Sequence, residues 1–329
     1  MKRKRATRKK GLIGALDIGG TYIKAALVDP RGGIIVRNHR PTEAHGGARH
    51  VTGRMIDAIR ELCAEAGVGL DTLRGVGLGF AGPLNQEEGV VYHAPNLPGW
   101  SRVPVKAWTE HALGLPVALE NDANAWTLGE FHFGAGRGLR HMVCLTLGTG
   151  VGGGIITDGR LIHGARGLAA ELGHITINTR GLQCKCGNRG CLEVYASAPA
   201  VIRALRRHLR GGSPREVRAL KARDPEGLTA KVVAQAARQG NRQAQAALEE
   251  VGRCLGIGIA TIANMLNPEM IVIGGAVAGA GRHLLEPARQ EARRRAFRGV
   301  TERLKIVRAK LGEDAGLLGA ACPFLEDHA

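Results

Sequence analysis

A glycine-rich turn opens each half of this 329-residue chain. The first is Asp17-Ile18-Gly19-Gly20-Thr21 and the second is Leu147-Gly148-Thr149-Gly150-Val151-Gly152-Gly153-Gly154. Each follows an apolar run of strand length and precedes another. That reads as strand–turn–strand, placed at the start of two similar halves. A third turn, Gly274-Gly275 after Ile273, ends a later apolar run. Glycine supplies 49 residues, about twice the usual share. Many lie just after apolar runs, where backbone turns tightly or approaches a ligand.

The remaining pattern alternates strands and helices. Strands are expected over 12–18, 22–28, 33–38, 75–80 and 117–120, with helices over 51–65 and 103–112 and another after 122. The pattern restarts with strands at 141–147 and 153–157 and a cysteine-bearing insert. Helices are expected at 196–211, 214–222, 228–239 and 244–266. A strand at 270–273, a helix at 283–295, a strand at 304–307 and a last helix from Asp314 complete it. This is an α/β chain of two domains facing a cleft. The expected parts are a disordered basic tail over 1–10, a first domain over 11–122 and a second over 123–313. The cysteine-bearing loop 174–191 lies in the second, and the terminal helix 314–329 returns to the first.

The turns suit phosphate. Backbone N–H groups at Gly19 and Gly20, the Thr21 hydroxyl, and Gly148, Thr149 and Gly150 are candidate anion contacts. Asp17 is a candidate for Mg²⁺ held through water. Lys24 supports the same anion or the sheet edge. Neither turn ends in the Gly-Lys-Ser/Thr of a P-loop, and neither feeds a helix as a dinucleotide fingerprint does. Gly274 and Gly275 offer a third close approach, suited to an adenosine.

Glu120-Asn121-Asp122 closes a strand. Phosphoryl transfer to an alcohol needs a group to take the hydroxyl proton. Asp122 is the candidate base, and Asn121 a sugar-hydroxyl partner. Asp122 is equally placed to cap the helix that follows. Asn96, Glu171 and His174 are further candidates for sugar contacts. Glu171 and His174 are three apart, hence neighbours on a helical turn.

Cys184, Cys186 and Cys191 fall within eight residues on a glycine-rich loop, with His174 upstream. Cys₃His is a closed structural zinc set with no position left for a catalytic water. If one His174 nitrogen binds the ion, the other is a fixed donor toward a sugar hydroxyl or Glu171. The other four cysteines stand alone in apolar surroundings. An odd total and no export signal argue against a disulfide scaffold.

The net charge is +17, and seven basic residues crowd positions 2–10. Aromatic residues are only 3%, which argues against a base-stacking nucleic-acid surface. No apolar stretch reaches membrane-spanning length. A cytoplasmic protein with a basic surface is expected, without a membrane or nucleic-acid partner; attraction of the basic tail and arginine patches to a polyanion is the alternative reading.

Taken together, these motifs resemble the ROK family of sugar kinases and repressors. Asp17-Ile18-Gly19-Gly20-Thr21 with Lys24 and the 147–154 run resemble its phosphate motifs. Gly79-Phe80-Ala81-Gly82-Pro83 is similar to its sugar-side loop, and Glu120-Asn121-Asp122-Ala123-Asn124 to its catalytic segment. Glu171-x-Gly173-His174 with Cys184-x-Cys186-Gly187-x-x-Gly190-Cys191-x-Glu193 resembles its zinc signature. Ala170 departs from the Ala-Gly that many members carry.

The resemblance implies an actin-like (sugar kinase, ribonuclease H-like) fold, ATP with Mg²⁺, and homodimers or homotetramers. It implies that Asp122 is the base and that Asn121, Asp122, Glu171 and His174 hold sugar hydroxyls, with Gly82, Asn96 and Glu193 nearby. Family repressors carry an added helix-turn-helix domain, and the short basic stretch before residue 12 does not hold three helices. Asn96-Leu97-Pro98-Gly99-Trp100 resembles bacterial glucokinases, so glucose at its 6-hydroxyl is the expected substrate. Mannose, fructose, allose and the N-acetyl sugars are alternatives, and polyphosphate is an alternative donor.

Overall fold

The computed structural model describes residues 11–94, 96–209 and 227–325. The basic tail 1–10, Arg210, the helix expected over 214–222 and residues 326–329 lie outside them. The described residues fall into two compact units. One draws on Met1–Gly138, Leu161–Ala169 and Glu313–Ala329, and the other on Leu139–Arg160 and Ala170–Gly312.

In the first unit, β1 (Leu12–Ile18), β2 (Tyr22–Val28), β3 (Ile34–Pro41), β4 (Leu73–Phe80) and β8 (Val117–Asn121) form one sheet, ordered β3-β2-β1-β4-β8. β2 runs antiparallel to β1, whereas β1, β4 and β8 are parallel. β1 and β4 are almost continuously buried, as parallel strands covered on both faces must be. β3 alternates between half-buried and exposed, the pattern of a strand with one face outward. Helices α1 (Gly47–Ala66), α2 (Val105–Leu113) and α3 (Asp122–Phe133) follow β3, the small sheet and β8 in the chain. That small antiparallel sheet joins β5 (Leu84–Asn85), β6 (Val90–His93) and β7 (Ser101–Val103). Its strands are two to four residues long, too short to leave a periodic signal.

The terminal helix Asp314–Ala321 packs on α3, β1 and β4. The approach is backbone to backbone. A β-carbon on Gly319 would lie 1.5 Å from the Ala125 carbonyl oxygen, and one on Gly129 2.1 Å from that of Ala315. This packing moves the boundary expected after Asp122. α3 stays with the first unit, which continues through Gly138 and also takes in 161–169.

The second unit repeats the order. β9 (Met142–Leu147), β10 (Val151–Thr157), β11 (Arg160–Leu161), β12 (Met270–Gly274) and β13 (Lys305–Arg308) are ordered β11-β10-β9-β12-β13. Here too the second strand is antiparallel to the first, and the first, fourth and fifth are parallel. Helices α4 (Glu193–Ala196), α5 (Ala198–Leu209), α6 (Ala230–Arg238), α7 (Arg242–Leu266), α8 (Arg282–Arg295) and α9 (Arg298–Thr301) complete it. The core is aliphatic and alanine-rich, with Leu145, Leu205, Leu248, Ile259 and Ile273 fully buried. Asn241 starts α7 by accepting the Ala244 N–H, and Asn267 ends it in the left-handed conformation.

Gly319→Ala should destabilise the chain by about 3 kcal/mol, because neither helix backbone can withdraw without reopening the core. Gly53→Ala, in α1 with nothing within 4 Å of the added carbon, should instead stabilise it, by about 1 kcal/mol. Paired denaturant unfolding curves check both signs.

Candidate active site and metal centre

The sheet of the first unit brings three loops to one edge. Register places Ile18 beside Phe80 and Phe80 beside Asn121, so β1, β4 and β8 end level. The 19–21 turn, the Ala81-Gly82-Pro83 loop and the Asn121-Asp122 step therefore leave from the same line. Carboxyl ends of parallel strands are where such sheets receive ligands.

The first turn is held from outside. Gly19 N–H donates to Tyr22 O at 3.0 Å. Buried Thr42 donates its hydroxyl to Gly19 O at 2.7 Å and its N–H to Thr21 O at 2.8 Å. Gly20 lies against Asn96, whose β-carbon would be 2.6 Å from one added to Gly20. The Asn96 loop is anchored by buried Trp100, whose ring packs on Phe80 with centroids 5.0 Å apart.

Asp17 sits one residue inside this edge, directly across from Lys24 on β2. Burial pushes its carboxyl up from the ordinary aspartate range. Lys24 pulls it back, and Glu313 adds to the rise. Lys24 itself is paired with Glu313, at the start of the terminal helix, at 3.2 Å.

The Asn121-Asp122 step rests on Glu120, which is buried at the end of β8. Glu120 Oε1 accepts the Asn121 N–H at 2.8 Å, Asn124 Nδ2 at 3.0 Å and Gln86 Nε2 at 3.2 Å. Its other oxygen lies 2.7 Å from His163 Nε2. Burial works against the charged carboxylate, but His163, Asn124 and the Asn121 N–H outweigh it and hold Glu120 below the usual range. Asn121, rather than Asp122, caps α3, accepting the N–H groups of Ala123 and Asn124 at 2.9 and 3.2 Å. Its amide reaches Gly82 O at 3.4 Å. Asp122 is the first residue of the helix and also accepts the Ala123 N–H, at 2.8 Å.

In the second unit the Gly148-Thr149-Gly150 turn closes on itself, with Gly148 N–H to Gly150 O at 2.9 Å. It is clamped by the segment after the cysteine loop. Val151 N–H donates to Glu193 Oε2 at 3.0 Å, and Ala198 N–H to Gly148 O at 2.8 Å. The third turn meets the same strand end. Gly274 pairs with Thr146, and Gly275, at φ 81°, backs onto the Leu147 carbonyl.

His174, Cys184, Cys186 and Cys191 place one ligand atom each within 4.8 Å of one another. Cys186 and Cys191 sulfurs are 3.7 Å apart, and Cys184 Sγ is 3.8 Å from His174 Nδ1. Those spacings exceed a disulfide. They match the edges of a tetrahedron built on metal–sulfur bonds, about 3.8 Å. Backbone bonds from Cys184 to Asn188, Ile177 to Gly190 and Leu192 to Ile175 hold the loop in this shape. Burial pushes the Cys191 thiol up to about 12. A divalent ion would displace that proton, so occupancy falls in acid. His174 turns Nδ1 toward the thiols and Nε2 toward Glu171, 3.9 Å away.

Thr42, His163, Gln86 and Ala198 escaped the sequence reading. Each acts from a distant segment with no motif of its own. The Thr-after-strand position of Thr42 is the only local hint among them.

A profile of the ROK family matches residues 13–326. The glucokinase of Streptomyces coelicolor is 39% identical over 314 residues, 94% of this chain and 96% of that protein. The glucokinase of Thermotoga maritima is 40% identical over 313 residues, 95% of this chain and 96% of its own. Among solved structures, a ROK family glucokinase from Streptomyces griseus in complex with glucose and AMPPNP superposes with a TM-score of 0.82. It is 36% identical, covering 95% of this chain and 99% of that one.

Ala170, just before Glu171, has φ 65°. A β-carbon in the left-handed region costs about 1 kcal/mol. Ala170→Gly should therefore raise Tm by about 2 °C, while Ala169→Gly, at a residue without positive φ, should lower it. Scanning calorimetry of the two variants checks the contrast.

Proposed function

The chain belongs to the ROK family, and on that premise we propose that it transfers the γ-phosphoryl group of ATP to the 6-hydroxyl of glucose. The observation that carries this reading is the Asn121-Asp122 step, set level with the first phosphate turn by the strand register. The likeness to glucokinases over nearly the whole chain supports it.

Asp122 is the general base, taking the proton of the 6-hydroxyl as that oxygen attacks phosphorus. As first residue of α3 it is held by the helix, while Asn121 supplies the cap. Gly82 and Asn96 belong to the sugar side of the first unit, with Asn121 offering its remaining hydrogen-bonding capacity there. On the second unit the sugar residues are Glu171 and His174, with Glu193 tied to the phosphate turn. Phosphates fall to Gly19, Gly20, Thr21, Gly148, Thr149 and Gly150, and the adenosine to Gly274 and Gly275.

Asp17 fits Mg²⁺, since a carboxyl strained by burial gains from a cation reached through water. Bound there, the ion would offset charge on the phosphates. The Cys₃His set fits zinc by donor type and spacing, and its role is structural. No described helix is long and apolar enough to cross a membrane. The odd cysteine count, with three of the seven set beside His174 at metal-ligand spacing rather than in disulfide pairs, supports a reducing cytoplasm as the place of action. A homodimer or homotetramer is the assembly that accompanies this reading.

Asp122→Asn should lower kcat about 10³-fold and leave glucose binding by calorimetry nearly intact. Unchanged turnover refutes the base. Coupled assays across glucose, mannose, fructose and the N-acetyl sugars, with ATP and then polyphosphate, test substrate and donor. A clear preference for another sugar keeps the kinase and replaces glucose.

Cys186→Ser, or chelation, should remove one equivalent of zinc and drop Tm by about 10 °C. Metal analysis beside calorimetry reads this without activity. Metal-free protein with unchanged melting overturns the structural zinc.

A further inference from the structure

Leu161–Ala169 leaves the sheet of the second unit and belongs to the first. It is tied there through His163, whose Nε2 lies 2.7 Å from Glu120 Oε2. The imidazole is 41% exposed and the carboxylate only 10%. The segment is shaped for this contact. His163 O accepts the Ala169 N–H at 3.0 Å, closing a loop with Gly164 and Gly167 at φ 71° and 73°. Gly167 lies against Gln86 and Leu84, and Gln86 is itself a donor to Glu120.

We propose that His163 is a positioning residue for phosphoryl transfer, holding Glu120 so that Glu120 fixes the Asn121-Asp122 step. This rests on the kinase reading above. Glu120 Oε1 binds the Asn121 N–H and the Asn124 amide, which flank Asp122 on both sides. Without His163 a buried carboxylate loses its cationic partner, a loss that favours protonation or withdrawal toward water. Either change releases the backbone just before the base.

The charged groups around the pair are few. Glu120 supplies the charge acting on His163, and His163 that acting on Glu120. Gln86 and Asn124, from the β5 loop and α3, are neutral. Arg160 and Arg166 flank His163 on its own segment, and Asp122 follows Glu120 by two residues. The Glu120 hydrogen bond raises His163 above its ordinary 6.5, against the effect of burial. The sign follows. The pair is fully formed below that ordinary value and is lost as pH rises through the raised one. On the acid side, Glu120 sustains it down to below 4.5.

The test is kcat, KM for ATP and KM for glucose across pH 5.5–9.5 (from about one unit below to about three units above the ordinary histidine value) for the parent, His163→Gln, His163→Ala and Glu120→Gln. NMR titration of the His163 imidazole runs beside them. Expected are a kcat loss of about tenfold in both His163 variants and KM for ATP within about twofold. The alkaline limb of the parent profile should vanish in His163→Gln, and the imidazole should return to its ordinary range in Glu120→Gln. His163 variants that fold, keep parental kcat and keep the alkaline limb overturn the role. So does a parental imidazole that titrates at the ordinary value. A parent that turns over no sugar sinks the kinase reading as well. An active parent matched by its His163 variants sinks only this role.

Discussion

Hydrogen-bonded register between β1, β4 and β8 brings Ile18, Phe80 and Asn121 to one line, and the first unit's chemistry depends on that alignment. Slipping one strand by a residue would reverse which side chains face the core. It would also separate the Gly19–Thr21 turn from the Asn121-Asp122 step. The strands are held in place by what covers them. The terminal helix lies close enough to α3 that Gly129 and Gly319 touch backbone, and Gly316 of the same helix abuts Asp17. Small residues here are a positional requirement, because any side chain would lift the helix off the strand exits.

The second unit solves a related problem with a different device. Its Gly148–Gly150 turn is exposed at Thr149 and is closed internally by the Gly148 N–H on Gly150 O. Its shape comes from the segment that leaves the cysteine loop, through Glu193 on Val151 and Ala198 on Gly148. A metal set by His174 and three thiols would fix the base of that segment. An ion held there would steady the Gly148–Gly150 turn as well as Glu171, which faces His174.

Much of this architecture is legible locally. The paired glycine turns lie in sequence beside the strands they join, and both sheets repeat one strand order. The Cys₃His set was readable because sulfur ligands on a short glycine-rich loop have few other uses. The small sheet β5–β7 was not, since such short strands leave no period. The first unit runs on through Gly138, past the strand exit at Asp122. α3 looks like the start of a new domain until the terminal helix, nearly two hundred residues on in the chain, packs against it.

The sequence by itself determined residue chemistry and local conformation: glycines where backbone must bend, a carboxylate and an amide at a strand exit, thiols spaced for an ion. These follow from side-chain type and neighbours along the chain. Only the tertiary structure decided how that chemistry is deployed. It made Asn121 the cap and left Asp122 within the helix, turned Lys24 to Glu313, set Thr42 under the first turn and brought His163 to Glu120. Each of those choices is a contact between distant segments. Its energy depends on burial and partner geometry, which exist only once the chain has folded.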